Sequence, residues 1–435
     1  MHLTPADQPS AARRRPLGAT VLARFRAYLQ RLARSARRRL GSFDRAGQID
    51  KDSSSRPTVL VYAPFSFNGR GPAESCAAIL SAFDRQEART VLYGCRFRRP
   101  MPEGVELRPS VATWGRYLPW RFVARRALRR LDADFARALR SCDPATTIAY
   151  FWPDPPPDLV TAANVRGVLT VREMINTACA TAGPILDAAY AQAGLPPDHP
   201  VTPQKISQEV DELGRHDYFF ASNPEVERSL QALGIDRSHI LRTTFGWSAQ
   251  RLGPATAQRR SERTRFICLG SLGVRKGVPV LLQAWRQAGL DADLLLVGHL
   301  DEAIADLLAE HHDPTVEVRD FTSDVGALLR SCDVFVFPTF EEGGPQVTYE
   351  AAGCGLAIIT TPMGAARLVD TGNTGIVVEA GSVSELTAAI RLLHENPDLR
   401  ARYGRNAETA AASYEYRVVG RQRQRQLVGL LAGGP

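Results

Sequence analysis

A chain of 435 residues exceeds the size at which a single hydrophobic core keeps growing, so two domains are expected. Residues 1–55 hold twelve Lys and Arg against four Asp, which accounts for the whole formal charge of +8; the remainder is neutral, which disfavours a nucleic-acid-binding fold. Seven cysteines with no Cys-x-x-Cys pair point to reduced thiols in a cytoplasm, and no run reaches the roughly 18 apolar residues of a membrane span.

The basic segment 1–55 lacks the apolar stretch and small-residue cleavage site of a signal peptide. Val21, Phe25, Leu29, Leu32 and Leu40 recur in it at helical spacing among arginines, a pattern that suits an anionic membrane surface, with plain disorder as the competing reading. Residues 56–63 then predict a first strand, Asn68-Gly69-Arg70-Gly71-Pro72 a glycine-rich turn, and 73–83 a helix. Further strands are predicted at 90–94, 146–151, 167–171 and 218–221, with helical patterns between them. This alternation predicts a parallel, doubly wound sheet across residues 56–248. Within it, segment 119–139 carries Trp120, Leu131, Phe135 and Leu139 on one stripe among many arginines. Either this is a second contact for an anionic membrane, or it is a core-facing helix with a solvated arginine face.

Phe245-Gly246 and the polar run 249–263 read as an interdomain linker. A second doubly wound unit, 249–413, has predicted strands at 265–270, 293–297, 315–318, 333–337, 356–360 and 374–378. Residues 414–435 are helical in pattern.

The most informative stretch is 337–355. It leaves a β-rich run, and Gly343-Gly344-Pro345 opens a helix, so Glu342 falls where a buried strand hands over to a helix N-terminus. Ligands bind at that point in open α/β sheets. Helix amides there favour a phosphate, and Glu342 and Glu350, eight positions apart, are spaced to hold hydroxyls of whatever carries it. Arg275-Lys276, in the glycine-bearing turn Gly270 to Gly277, offers fixed cations for a leaving diphosphate, or else is an ordinary surface turn. Asp132-Ala133-Asp134 and Asp291-Ala292-Asp293 gather no oxygen cage of the kind Mg²⁺ uses, so neither a catalytic metal nor another cofactor is expected.

Glu342 and Glu350 with the following Ala-Ala-Gly-x-Gly, the turn Gly270-Ser271-Leu272-Gly273-Val274-Arg275-Lys276-Gly277, the run Leu294 to Gly298, Gly364, and Asp370 to Gly375 occur in an order that resembles glycosyltransferase family 4, over roughly residues 217 to 415. The resemblance implies the GT-B fold, two Rossmann-like domains facing across a cleft. It also implies a retaining enzyme that moves a hexose-type sugar from a nucleotide-diphosphate donor to a glycan or lipid-linked acceptor, with bacterial surface-polysaccharide assembly as its setting. By the same resemblance, residues 414–435 cross back to the first domain. Glu342 faces the transferred sugar and Glu350 the ribose, while Gly270, Ser271, Gly343, Gly344 and Pro345 surround the donor. Gly69 and Gly71 resemble the loop that closes over donor phosphate and acceptor, although glycine turns are common after any first strand. Lys276 shares its work in the family with an arginine whose position is Ser271 here, which leaves Arg275 to supply the guanidinium. Arg172-Glu173 stands in place of a His-Asp pair: Arg172 would bind or neutralise and Glu173 would receive the acceptor hydroxyl, unless the two belong to a buried Arg–Glu pair. Arg367 occupies the position of a family glutamate. These departures keep two alternatives open, a non-catalytic nucleotide-sugar-binding or scaffold subunit and a GT-B sugar-nucleotide epimerase.

Overall fold

The computed structural model describes residues 56–69, 71–101, 103–111, 118–253, 263–310 and 312–433. The expectations for the basic segment 1–55, for Arg70 and for most of the polar linker lie outside the described residues.

The first domain is built on strands β1 (Thr58–Phe67), β2 (Arg89–Phe97), β3 (Val105–Pro109), β4 (Thr147–Phe151), β5 (Leu169–Met174), β6 (Tyr218–Ala221) and β7 (Ile240–Arg242). The second uses β8 (Thr264–Leu269), β9 (Ala292–Val297), β10 (Val316–Arg319), β11 (Val334–Phe337), β12 (Ala357–Thr360) and β13 (Gly375–Val377). Every pairing is parallel, in the orders β3-β2-β1-β4-β5-β6-β7 and β10-β9-β8-β11-β12-β13. Strands such as β4, Thr-Ile-Ala-Tyr-Phe, are buried at every position, because helices cover both faces of each sheet. Strand order reverses between β1 and β4 in one sheet and between β8 and β11 in the other, which opens a crevice at the carboxyl ends of those strands.

The helix Trp120–Ser141 decides between the two readings of segment 119–139. Leu131, Phe135 and Leu139 are buried against the sheet, and the Phe135 ring meets Tyr62 edge-on at 5.3 Å. Its apolar stripe is therefore used by the core and is not available to a membrane. What it leaves outside is an arginine face, with Phe122 at its start 68% exposed.

The helix Tyr416–Leu431 packs on the first domain against the helix Gly71–Leu80; a Cβ at Gly420 would collide with the Ile79 carbonyl. Arg423 is its anchor. The guanidinium is fully buried 2.6 Å from Glu173 Oε2, donates to the Thr244 carbonyl at 2.8 Å and lies over the ring of Phe220 at 4.9 Å. Tyr150 donates its hydroxyl to the same Glu173 oxygen. Removing one member of a buried pair strands the other, so Arg423→Met is expected to lower unfolding free energy by about 3–5 kcal/mol, with Arg423→Met/Glu173→Gln recovering part of it. Urea denaturation checks this; a loss below about 1 kcal/mol would mean that Glu173 finds other partners.

Candidate donor and acceptor site

At the end of β8 the chain turns through Gly270 (φ 141) and Ser271 into a short 3₁₀ turn, Val274–Lys276. Gly277 follows with φ 73, and a Cβ there would collide with the carbonyl of Pro338. Only glycine lets this turn lie flat on the segment leaving β11. The two segments are joined by Phe340 N–H donating to the Arg275 carbonyl at 2.9 Å and by the Thr339 hydroxyl donating to it at 3.1 Å.

That junction puts two cations beside two carboxylates. The Lys276 ammonium pairs with Glu342 Oε1 and lies over the Phe337 ring at 5.1 Å. Arg275 Nη1 is 3.4 Å from Glu341 Oε2 and 3.6 Å from Glu342 Oε1. Glu341 and Glu342 are both buried. Burial, with the adjacent Arg275 charge, pushes the Lys276 ammonium well below its ordinary pKa.

Glu341, beside the expected Glu342, ties this cluster to the first domain. Its Oε1 accepts from the backbone N–H of Thr177 at 3.0 Å and from the Thr177 hydroxyl at 2.9 Å, and its Oε2 accepts from Asn176 Nδ2 at 3.0 Å. The only hint in the sequence is the carboxylate doublet at a strand exit.

Glu350, on the helix Gln346–Gly353, is 4% exposed, and Arg251 Nη1 is 2.7 Å from its Oε1. Burial raises its carboxyl pKa and Arg251 opposes the shift. Gly69 and Gly71 are both left-handed, at φ 87 and 61. The helix that Gly71 starts reaches this neighbourhood, since its Ser75 hydroxyl accepts from Gln346 Nε2.

Two expectations need correction. Glu173 does not face an acceptor: its side chain is fully buried and taken up by Arg423 and Tyr150. Arg172 does line the cleft, yet its guanidinium donates to both oxygens of Glu212, at 2.8 and 3.3 Å, and to the Glu173 backbone carbonyl, so its carboxylate partner is Glu212 and not that of Glu173. Burial works against the Arg172 charge, but Glu212, then Asp154 and Glu209, holds it above its ordinary range. Gly343 and Gly344, expected around the donor, also allow close approach between domains. A Cβ on Gly343 would collide with the Ile175 carbonyl and one on Gly344 with the Phe245 ring, while Ser222 donates to the Gly343 carbonyl at 2.9 Å. Pro345 sits at the N-cap of the helix that follows.

Arg367 is also drawn across to the first domain. It donates to the Thr243 carbonyl at 2.7 Å and pairs with Glu227. Among the described residues no group of three or more His, Cys, Asp or Glu gathers as a metal site would, and no helix is long and apolar enough to cross a membrane.

Between the domains lies a cavity of about 390 Å³, open at the carboxyl ends of β4 and β5. Arg172, Met174 and Tyr190 reach it from the first domain, and Arg275, Asp301 and Glu341 from the second. Known structures are similar to this fold. Anabaena HepE in complex with UDP and glucose superposes with TM-score 0.61 at 16% identity, covering 86% of this chain and 100% of that one. A sucrose-phosphate synthase from Thermosynechococcus elongatus gives 0.63 at 16% identity, over 87% and 100%.

The fold is GT-B.

Residues 263–396 match the family model described as glycosyl transferases group 1. An N,N'-diacetylbacillosaminyl-diphospho-undecaprenol alpha-1,3-N-acetylgalactosaminyltransferase of Campylobacter jejuni is 29% identical over 146 residues, 33% of this chain and 39% of that one. The capsular polysaccharide biosynthesis glycosyltransferase CapM of Staphylococcus aureus is 31% identical over 146 residues, 32% and 38% of the two chains. The matches thus span about two fifths of the length of these curated relatives.

Proposed function

We propose that this chain is a retaining glycosyltransferase of the family 4 type, transferring a sugar from a nucleotide diphosphate to a glycan or lipid-linked acceptor in bacterial surface-polysaccharide synthesis. The observation that carries the reading is the gathering of Lys276, Arg275 and Glu342 at the ends of β8 and β11, beside a cavity that the first domain completes. The bond from the anomeric carbon to the diphosphate oxygen breaks, and Lys276 and Arg275 stabilise the charge left on the diphosphate. The acceptor oxygen bonds to that carbon from the face the diphosphate leaves, and its proton passes to a diphosphate oxygen. Glu342 accepts from the sugar hydroxyls and Glu350 from the ribose. The polysaccharide and lipid-linked activities in the relatives' names, and UDP and glucose bound to HepE, support this choice of substrates. The reading sets the protein at the cytoplasmic face of the membrane, with the arginine face of the helix Trp120–Ser141 toward anionic lipid.

Thermal shift with a panel of UDP-, GDP- and ADP-sugars tests the proposal: at least one donor should raise the melting temperature, and a flat panel would overturn it. Glu350→Ala should mainly raise donor KM, because ribose contacts are made equally in ground and transition states; steady-state kinetics showing an unchanged KM would remove that role. With cations supplied by Lys276 and Arg275, transfer is expected to survive EDTA. Loss in chelator that Mg²⁺ restores would refute metal independence.

A further inference from the structure

The charges around the cleft cavity are unbalanced. Three permanent cations line it, Arg172, Lys205 and Arg275, against five carboxylates, Asp154, Asp198, Glu209, Asp301 and Glu341. Arg172 is committed to Glu212 behind it, and Arg275 to Glu341 at 3.4 Å. Lys205 is the remaining cation of this lining, which also carries Asp198 and Asp301 and, acting on the Arg172 charge as well, Asp154 and Glu209.

Two of these carboxylates are positioned by the backbone. Glu209 accepts from the N–H of Cys179 at the start of the helix Cys179–Gln192, which fixes it on the cavity wall. Asp154, just past the end of β4, is held at φ 58, a left-handed conformation that costs a non-glycine residue on the order of 1–3 kcal/mol. The residue is exposed on the cavity lining, and its charge acts on Arg172. A carboxylate only accepts, so it is satisfied by hydroxyl or ammonium donors and repels phosphate or another carboxylate.

We infer that the acceptor group entering this cavity is a hydrogen-bond-donating sugar without negative charge, read by Asp154 and Glu209, and that phosphorylated and uronic acceptors are selected against. The inference rests on the glycosyl-transfer reading above and narrows it. Specificity comes from a repulsive element as much as from an attractive one.

The test uses the full chain with four acceptors: octyl glucoside, its 2-amino analogue, octyl glucuronide and octyl glucoside 6-phosphate. Whichever donor the panel identifies is used, and hydrolysis of that donor without acceptor is followed alongside. The first two acceptors are expected to exceed the last two by about ten-fold or more in kcat/KM, the equivalent of one unfavourable charge contact. Asp154→Asn should narrow the gap by roughly three-fold or more, and Asp154→Lys should close it. A wild-type preference for the glucuronide or the phosphate overturns the inference, as does a gap that neither variant alters. If no donor is hydrolysed, it is the transfer reading that fails. The same acceptors titrated in the presence of UDP, read by tryptophan fluorescence, still decide the charge argument: tighter binding of the anionic pair refutes it.

Discussion

Lys276→Ala is expected to lower kcat/KM for transfer by roughly 30- to 1000-fold, equivalent to about 2–4 kcal/mol of transition-state stabilisation. The ammonium is the most enclosed cation of the cluster, fixed between Glu342 and the Phe337 face, so its field acts through little water. The loss should fall mainly on kcat, since the diphosphate charge develops as the sugar departs. Lys276→Arg should rescue only weakly, because a planar guanidinium does not fit the slot of a compact ammonium. A Lys276→Ala variant within about three-fold of wild type would remove Lys276 from the reaction.

Gly343→Val should act as strongly by another route. Its Cβ would overlap the backbone of Ile175 and Asn176, which cannot yield as a flexible side chain would. The two domains must then part locally, and the bonds from Asn176 and Thr177 to Glu341 loosen with them. Since a misplacement of about 1 Å costs on the order of 100-fold, kcat/KM should fall by at least that much. Overpacking should cost about 1–3 kcal/mol of stability, because neither sheet is altered. Kinetics with urea denaturation separate the two effects; full activity would show that the contact is dispensable.

Much of the architecture was legible because a buried parallel strand is nearly continuous in apolar residues. Val334-Phe335-Val336-Phe337 and Thr147 to Phe151 announce themselves. The two strands that the apolar pattern does not announce are both at sheet edges: Val105–Pro109 is polar and half-exposed and ends in proline, and Ile240–Arg242 has three residues. Glycine spacing and strand register gave the positions of Lys276, Glu342 and Glu350. Pairing across the fold did not follow from spacing. Glu173 and Arg423 are 250 positions apart in sequence, and Thr177 and Glu341 are 164 apart, so neither partnership is visible locally. The glycines of 343–344 could be recognised as necessary from sequence, while the surfaces that require them, Ile175 and Phe245, come from the other domain.

The central claim, that the Lys276–Glu342 cluster drives departure of a nucleoside diphosphate from a sugar, is tested most directly by following diphosphate release from the UDP-, GDP- and ADP-sugar panel with wild type and Glu342→Ala in parallel. Release from one donor class by the wild type is expected, with a fall of roughly ten-fold or more in kcat for the variant and the nucleotide still bound. Equal release by both proteins, or none from any donor by a folded wild type, would contradict it.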